Sequence, residues 1–212
     1  MRIIYVYDAL CGWCYGFSPV INRLYDNYKS ILDIEVISGG MVLGKSSGPI
    51  GEVAGYISEA YKKVEEKTGV KFGSAFLNHT LKEGIATFDS FPPAKALKIF
   101  KELKQEKALE FASDIQTAIY FEGDDPTDMC TYAGMAAKYG VSKNDFEILW
   151  SSVDYDVRTR EEFIFAQQLN VTGYPTVFVE VENTYHVIAR GYTSYRVIRD
   201  RLEHLVGFTE PS

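Results

Sequence analysis

The chain of 212 residues has few of the residues that build disulfide frameworks and metal sites: three cysteines and three histidines. Three cysteines do not make the dense framework of a small secreted domain. A structural zinc ion usually needs four Cys or His ligands at paired spacing. His79, His186, His204 and Cys130 stand alone in the sequence, so we expect no metal site.

Long apolar runs are also missing. No stretch approaches the ~20 residues of a membrane-spanning helix, and the apolar run near Met1 is shorter than the roughly 7–15 residues of a secretion signal. If Met1 is the natural start, the chain is expected to be cytoplasmic. The net charge of −7 disfavours nucleic acid and anionic membranes as partners, because both need a basic surface.

The composition is that of a folded protein, with 46% hydrophobic and 24% charged residues. The length suits one domain, or one domain with a sizeable insertion. Residues 3–7 are β-branched and aromatic, which predicts a buried strand. Apolar residues at helical spacing follow to Tyr28, and residues 31–38 predict a second strand. The chain therefore opens with a strand, a helix and a strand.

The spacing of apolar residues changes in the middle of the chain. Between about residues 50 and 155 the apolar spacing is helical throughout, and we predict no strand there. Strand patterns return at 176–181 and 185–189, joined by a turn, and a final helix follows. We therefore predict an α/β fold in which residues 1–50 and 155–212 form one discontinuous unit and residues 51–154 form an inserted helical domain.

Two of the cysteines, Cys11 and Cys14, are separated by Gly12 and Trp13 and lie between the first strand and the first helix. A cysteine at a helix N-terminus has its thiolate stabilised by unpaired N–H groups and by the helix dipole. Cys11 is predicted at that position, and Cys14 one turn further in, where it is more shielded. This arrangement favours a working dithiol, with Cys11 as nucleophile and Cys14 as resolving thiol. A metal site or a purely structural pair are the alternatives.

A second motif lies near the end of the chain, in the run Val171-Thr172-Gly173-Tyr174-Pro175-Thr176. Together with the dithiol motif and the helical middle, it resembles the DsbA-like branch of the thioredoxin superfamily over essentially the whole length, and is most similar to the intracellular FrnE-like members. The resemblance implies a cis bond before Pro175, packed against the cysteines. It also implies that an extended substrate pairs with the Tyr174 backbone. Gly12, Trp13, Tyr174 and Pro175 are the expected substrate-binding residues.

The resemblance implies a thiol–disulfide oxidoreductase, or protein-disulfide isomerase, that needs no bound cofactor. Its partners would be a disulfide- or dithiol-containing protein or small molecule and a cellular reductant or oxidant, with glutathione as one candidate. The Gly12-Trp13 pair lacks the histidine of the oxidising DsbA enzymes, which favours the reductase or isomerase direction.

Two other functions remain open. Kappa-class glutathione transferases and 2-hydroxychromene-2-carboxylate isomerases share the architecture, but typically have serine at the position of Cys11. The third hypothesis is a thioredoxin-like binding protein without catalytic activity.

The sequence also predicts the positions of two further residues, Asp8 and Cys130. Asp8 is expected to cap the first helix, in preference to tuning the thiol. Cys130 shares an apolar stripe with Met129 and Ala133 and is expected to be a small buried core residue.

Overall fold

The computed structural model describes residues 1–207. The chain opens with strand β1 (Arg2–Tyr7), helix α1 (Gly12–Tyr28) and strand β2 (Asp33–Ser38). Strands β1 and β2 pair in parallel, so the opening is a βαβ unit, and the predicted order of strand, helix and strand is confirmed. The second strand begins two residues later than predicted.

Helices dominate the middle of the chain. Two short strands, β3 (Gly48–Pro49) and β4 (Thr87–Phe88), flank the first part of it. The helices are α2 (Ala54–Thr68), α3 (Leu81–Glu83), α4 (Phe91–Leu103), α5 (Ala108–Thr117), α6 (Met129–Lys138), α7 (Lys143–Trp150) and α8 (Val153–Gln168). π-helical turns at Phe76–Thr80 and Ala118–Glu122 add to them. The chain closes with β5 (Thr176–Val181), β6 (Thr184–Arg190) and α9 (Tyr195–Val206).

The main sheet has four strands in the order β2-β1-β5-β6. Strand β1 pairs in parallel with β2 and antiparallel with β5, and β5 and β6 form the predicted antiparallel hairpin. The α/β fold class is confirmed.

The two faces of β1 are covered by different helices, because successive side chains of a strand point to opposite faces. Ile3, Tyr5 and Tyr7 belong to the large core that includes α1 and the helical middle of the chain. Ile4 and Val6 belong to a smaller cluster on the other face, which contains residues of α8. The strand is therefore buried on both faces.

The prediction that residues 50–155 contain no strand is wrong at one place. Strand β4, at Thr87–Phe88, pairs antiparallel with β3 at Gly48–Pro49. Two residues are too short for an alternating pattern to be recognised in a sequence, and the partner lies far away along the chain.

A buried lysine connects the helical middle to the main sheet. The ammonium group of Lys101, on α4, donates a hydrogen bond to the main-chain oxygen of Val36 in β2 (2.7 Å) and pairs with the carboxylate of Glu162 on α8. Such close contacts show that the helices pack on the sheet, but the division at residues 50 and 155 stays a prediction. Within residues 1–207 no helix is both long and apolar enough to cross a membrane.

Candidate active site

Cys11 lies at the turn where β1 gives way to α1. Its backbone is extended (φ −93°, ψ 108°), and the residue forms the N-cap of the helix. The main-chain N–H of Cys14 donates to the Cys11 sulfur at 3.4 Å. The Cys11 sulfur therefore lies at the N-terminal end of α1, against the first turn of the helix.

Cys14, one turn further along α1, is completely buried, whereas Cys11 is 5% exposed. Burial raises the pKa of the Cys14 thiol well above its ordinary value, and the hydrogen bond and the charge of Cys11 raise it further. Both residues are free thiols. The structure thus has one sulfur at the rim of the site and one below it.

The loop ahead of β5 brings Tyr174 and Pro175 to the same place. The peptide bond between them is cis. The Cys11 thiol donates to the main-chain oxygen of Tyr174 at 3.6 Å, across 163 positions of sequence. The Tyr174 hydroxyl donates to the Gly39 oxygen at 2.8 Å, and burial raises the pKa of Tyr174 to about 12. The loop is therefore held against both the dithiol and the end of β2.

The contact between the Tyr174 ring and the backbone after β2 requires glycine at position 39. A Cβ atom at that position would lie 2.0 Å from the nearest ring atom of Tyr174. Only a residue without a side chain lets the Tyr174 ring approach the backbone so closely.

Trp13 lines two openings, and Cys11 lines the second of them. The first, of about 580 Å³, is lined by Tyr174 and Tyr192 and by Lys63, Glu66 and Lys67 of α2. Both lysines are exposed, and neither takes part in the ion pairs of α2 within the described part of the chain. This opening therefore combines aromatic side chains with an edge that carries two positive charges and one negative charge. We call it the lysine groove.

The second opening, of about 170 Å³, is apolar. Cys11 and Gly12 form one wall, and α2 together with the aromatic rings of Phe72 and Tyr120 forms the rest. The Trp13 side chain is half-buried, and its ring lies 6.5 Å from that of Tyr192. Trp13 thus both packs in the structure and borders the space next to Cys11.

The expectation that Asp8 caps α1 is wrong. The N-cap is Cys11, and the Asp8 carboxylate points elsewhere. It accepts hydrogen bonds from the N–H groups of Leu10 (2.9 Å) and Met41 (2.7 Å) and from the Ser90 hydroxyl (2.9 Å). Burial raises the pKa of this carboxyl group. Asp8 therefore ties the turn before Cys11 to two loops that are distant in sequence.

The expectation that Cys130 is buried is also wrong, because its residue is exposed in the first turn of α6. The buried positions of that helix are Tyr132, Ala133, Met135 and Ala136. In a helix rich in small residues the apolar stripe is broad, and the side that packs is decided by the neighbouring helices.

Other chemistry-bearing residues lie apart from the dithiol. His79 and His204 are exposed on other surfaces, and His186 lies on β6. Among residues 1–207, no group of three or more His, Cys, Asp and Glu side chains is arranged to hold a metal ion. Lys63, Lys67 and Tyr192 border the site but were not singled out from the sequence, because nothing in their local pattern marks them.

Comparison with models of protein families identifies the family of the chain. The model of the DSBA-like thioredoxin domain matches residues 2–203. The chain belongs to this family. Its α/β fold with a helical insertion is accordingly thioredoxin-like, as the sequence motifs implied. Among proteins with curated descriptions, no sequence matches the chain.

Solved structures agree over nearly the full length. A protein from Nitrosomonas europaea, provisionally named a protein disulfide isomerase, superposes with a TM-score of 0.86 at 24% identity, with 98% of each chain covered. The cytosolic disulfide reductase DsbM from Pseudomonas aeruginosa gives 0.83 at 25% identity, covering 98% of this chain and 99% of that one. A 2-hydroxychromene-2-carboxylate isomerase gives 0.62 at 16% identity, covering 98% and 93%, which is a likeness of fold alone.

The contact between Gly39 and Tyr174 can be tested by adding one methyl group. Gly39→Ala is expected to lower the free energy of unfolding by about 1–3 kcal/mol, because the ring and the loop must move apart. Chemical denaturation measures this loss.

Gly134→Ala is the matched control, since a Cβ at that position in α6 meets nothing within 4 Å. It is expected to stabilise the protein by about 0.5–1 kcal/mol, as alanine suits a helix better than glycine. Equal stability of the Gly39→Ala variant and the unmodified protein would contradict the packing described here.

Proposed function

We propose that the chain is a thiol–disulfide oxidoreductase that works mainly as a disulfide reductase, with Cys11 as nucleophile and Cys14 as resolving thiol. The observation that carries the proposal is the asymmetry of the pair. Cys11 lies at a helix N-terminus and lines an opening, and Cys14 is wholly buried one turn below it. A substrate sulfur can approach the first thiol but not the second.

The reaction runs in two exchanges. The Cys11 thiolate attacks one sulfur of the substrate disulfide; a mixed disulfide forms, and the other substrate sulfur leaves as a thiolate and takes up a proton. Cys14 then loses its proton and attacks the Cys11 sulfur. The second substrate sulfur leaves and is protonated in turn. The substrate is reduced to two thiols, and the Cys11–Cys14 pair is oxidised to a disulfide.

Substrate is proposed to lie along Gly12, Trp13, Tyr174 and Pro175. The Tyr174 main-chain oxygen already contacts the Cys11 thiol, so an acceptor for a substrate N–H lies directly beside the nucleophile. A peptide strand placed there would bring its own sulfur towards Cys11. The flat faces of Trp13 and Tyr192 offer apolar contact for side chains that flank the substrate cysteine.

The reducing direction is supported by the chemistry around the pair. Strongly oxidising dithiols owe their potential to a stabilised reduced form. Here no histidine separates the cysteines, and burial raises the pKa of Cys14, which disfavours its thiolate. The similarity to a cytosolic disulfide reductase agrees with this direction and supports a cytoplasmic location.

Glutathione is the proposed recycling partner. A second structure of DsbM, with a TM-score of 0.79 and 24% identity, is described as a complex with GSH. Glutathione carries two carboxylates, and in this chain the lysine groove next to Trp13 presents Lys63 and Lys67 with one acidic neighbour, Glu66. Opposite charge at the rim of a site accelerates encounter with a charged ligand. The groove therefore suits an anionic thiol better than a neutral one.

Cysteine substitutions test the proposed roles. In an insulin-reduction assay, Cys11→Ser is expected to abolish activity because the nucleophile is removed. Cys14→Ser is expected to stop after the first exchange and to accumulate a mixed disulfide at Cys11, visible by mass spectrometry.

Cys130→Ser is the control and is expected to retain full activity, since the exposed Cys130 lies on another helix. Activity that survives Cys11→Ser would contradict the proposal and favour a glutathione-dependent isomerase or transferase.

The charge of the lysine groove gives a separate test. The double variant Lys63→Glu/Lys67→Glu is expected to slow reduction of the oxidised pair by glutathione about fivefold at low salt, with a smaller effect at high salt. Stopped-flow tryptophan fluorescence follows the reaction.

Reduction by the neutral thiol 2-mercaptoethanol is expected to stay unchanged in this variant. Lys138→Glu/Lys143→Glu alters the net charge equally on other helices and is the matched control. Equal slowing with both thiols, or in both double variants, would contradict a role for the groove in selecting an anionic partner.

A further inference from the structure

Strand β1 carries a buried hydroxyl group beneath the two cysteines. Tyr5 is 2% exposed, and its hydroxyl oxygen is buried without a partner in ordinary hydrogen-bond geometry within the described chain. The Tyr5 ring lies 5.9 Å from that of Phe17, which is on α1 one turn beyond Cys14. An unpaired buried hydroxyl costs free energy, and it is free to donate to a charge that forms beside it during a reaction.

Cys14 is the polar group that faces this hydroxyl. After burial, the charge of Cys14 raises the pKa of Tyr5 more than the charge of Cys11 or Tyr7 does, and the two side chains are placed to share a hydrogen bond. Both residues belong to the same buried core. The packing of the Tyr5 ring on Phe17, three residues beyond Cys14 in α1, agrees with a hydroxyl close to the resolving sulfur.

The resolving step places a negative charge on a sulfur that is cut off from water. The main-chain N–H of Asp8 lowers the pKa of Cys14, whereas burial, Cys11 and the charge of Asp8 raise it. A buried thiolate needs hydrogen-bond donors, because its desolvation is otherwise uncompensated. A further donor at this sulfur would therefore stabilise the thiolate.

We propose that Tyr5 is a further catalytic residue, whose hydroxyl donates a hydrogen bond to the Cys14 sulfur as that sulfur ionises and attacks the mixed disulfide. The inference rests on the proposed function, because it concerns the second exchange of that reaction. Tyr5 keeps its own proton throughout. The proton that Cys14 loses goes to the departing substrate thiolate, so the step needs no other reactant.

Burial keeps Tyr5 a donor. It raises the pKa of the phenol well above its ordinary value of 10.0, so the group stays protonated at neutral pH. A carboxylate in the same place would add negative charge next to the thiolate, whereas a neutral hydroxyl stabilises the charge without a competing one.

Tyr7 is a matched control in the same strand. It lies on the same face of β1, is 1% exposed, and also has a hydroxyl without a partner in the described chain. After burial, its pKa is raised most by Asp8 and less by Cys14. Replacing either tyrosine with phenylalanine removes one oxygen atom and leaves the ring packing intact.

The test separates the two exchanges by stopped flow, using equimolar DTNB and reduced protein in a Cys130→Ser background. The first equivalent of TNB reports attack by Cys11, and the second reports resolution by Cys14. Tyr5→Phe is expected to leave the first phase little changed and to slow the second about tenfold, because a hydrogen bond to a charged group is lost. The pH at which the second phase accelerates is expected to rise by about one unit. Tyr7→Phe is expected to alter neither phase.

Three results would overturn the proposal. An unchanged second phase in Tyr5→Phe would remove the role, and equal slowing in Tyr7→Phe would make it a general effect of core polarity. Failure of the unsubstituted protein to release a second equivalent would instead contradict the proposed oxidoreductase function itself. Thermal unfolding of both variants verifies that the fold is retained, and Tyr5→Phe is expected to be no less stable than the parent.

Discussion

The position of one sulfur at the end of a helix, and of a second sulfur one turn inside it, is the constraint on which this structure depends. The turn after β1 places Cys11 at the N-cap of α1, and the helical rise then carries Cys14 into the core. The first sulfur lies at the helix N-terminus, while burial opposes charge at the second. The two sulfurs are therefore distinguished by geometry before any substrate binds.

The surrounding elements preserve this arrangement. The Asp8 carboxylate fixes the turn that presents Cys11, and the Tyr174 ring, seated on Gly39, fixes the loop that meets the Cys11 sulfur. Beneath the pair, the buried face of β1 contributes tyrosine hydroxyls and no carboxylate. Tyrosine hydroxyls on this face add no negative charge next to Cys14, where burial already disfavours a thiolate.

Much of the fold and of the candidate site could be predicted from the sequence. The features that could not be predicted depend on contacts between residues far apart along the chain. The strand before Cys11, the helix after it and the closing hairpin follow from local periodicity and turn residues. The proximity of Tyr174 to Cys11 came from a family resemblance, because a contact across 163 positions leaves no local signal. Asp8 was misread for the same reason, since its partners Met41 and Ser90 are brought to it by the fold. Cys130 was misplaced because neighbouring helices decide which side of α6 is buried.

The reduction potential of the Cys11–Cys14 couple tests the central claim most directly. It can be measured in a Cys130→Ser background by equilibration with dithiothreitol or glutathione buffers and quantification of free thiols. A value around −270 mV, in the range of thioredoxin, is the result that the proposed reductase function predicts. A value near −120 mV, in the range of DsbA, would contradict the reducing direction. Failure to form any reversible disulfide would contradict the redox function altogether.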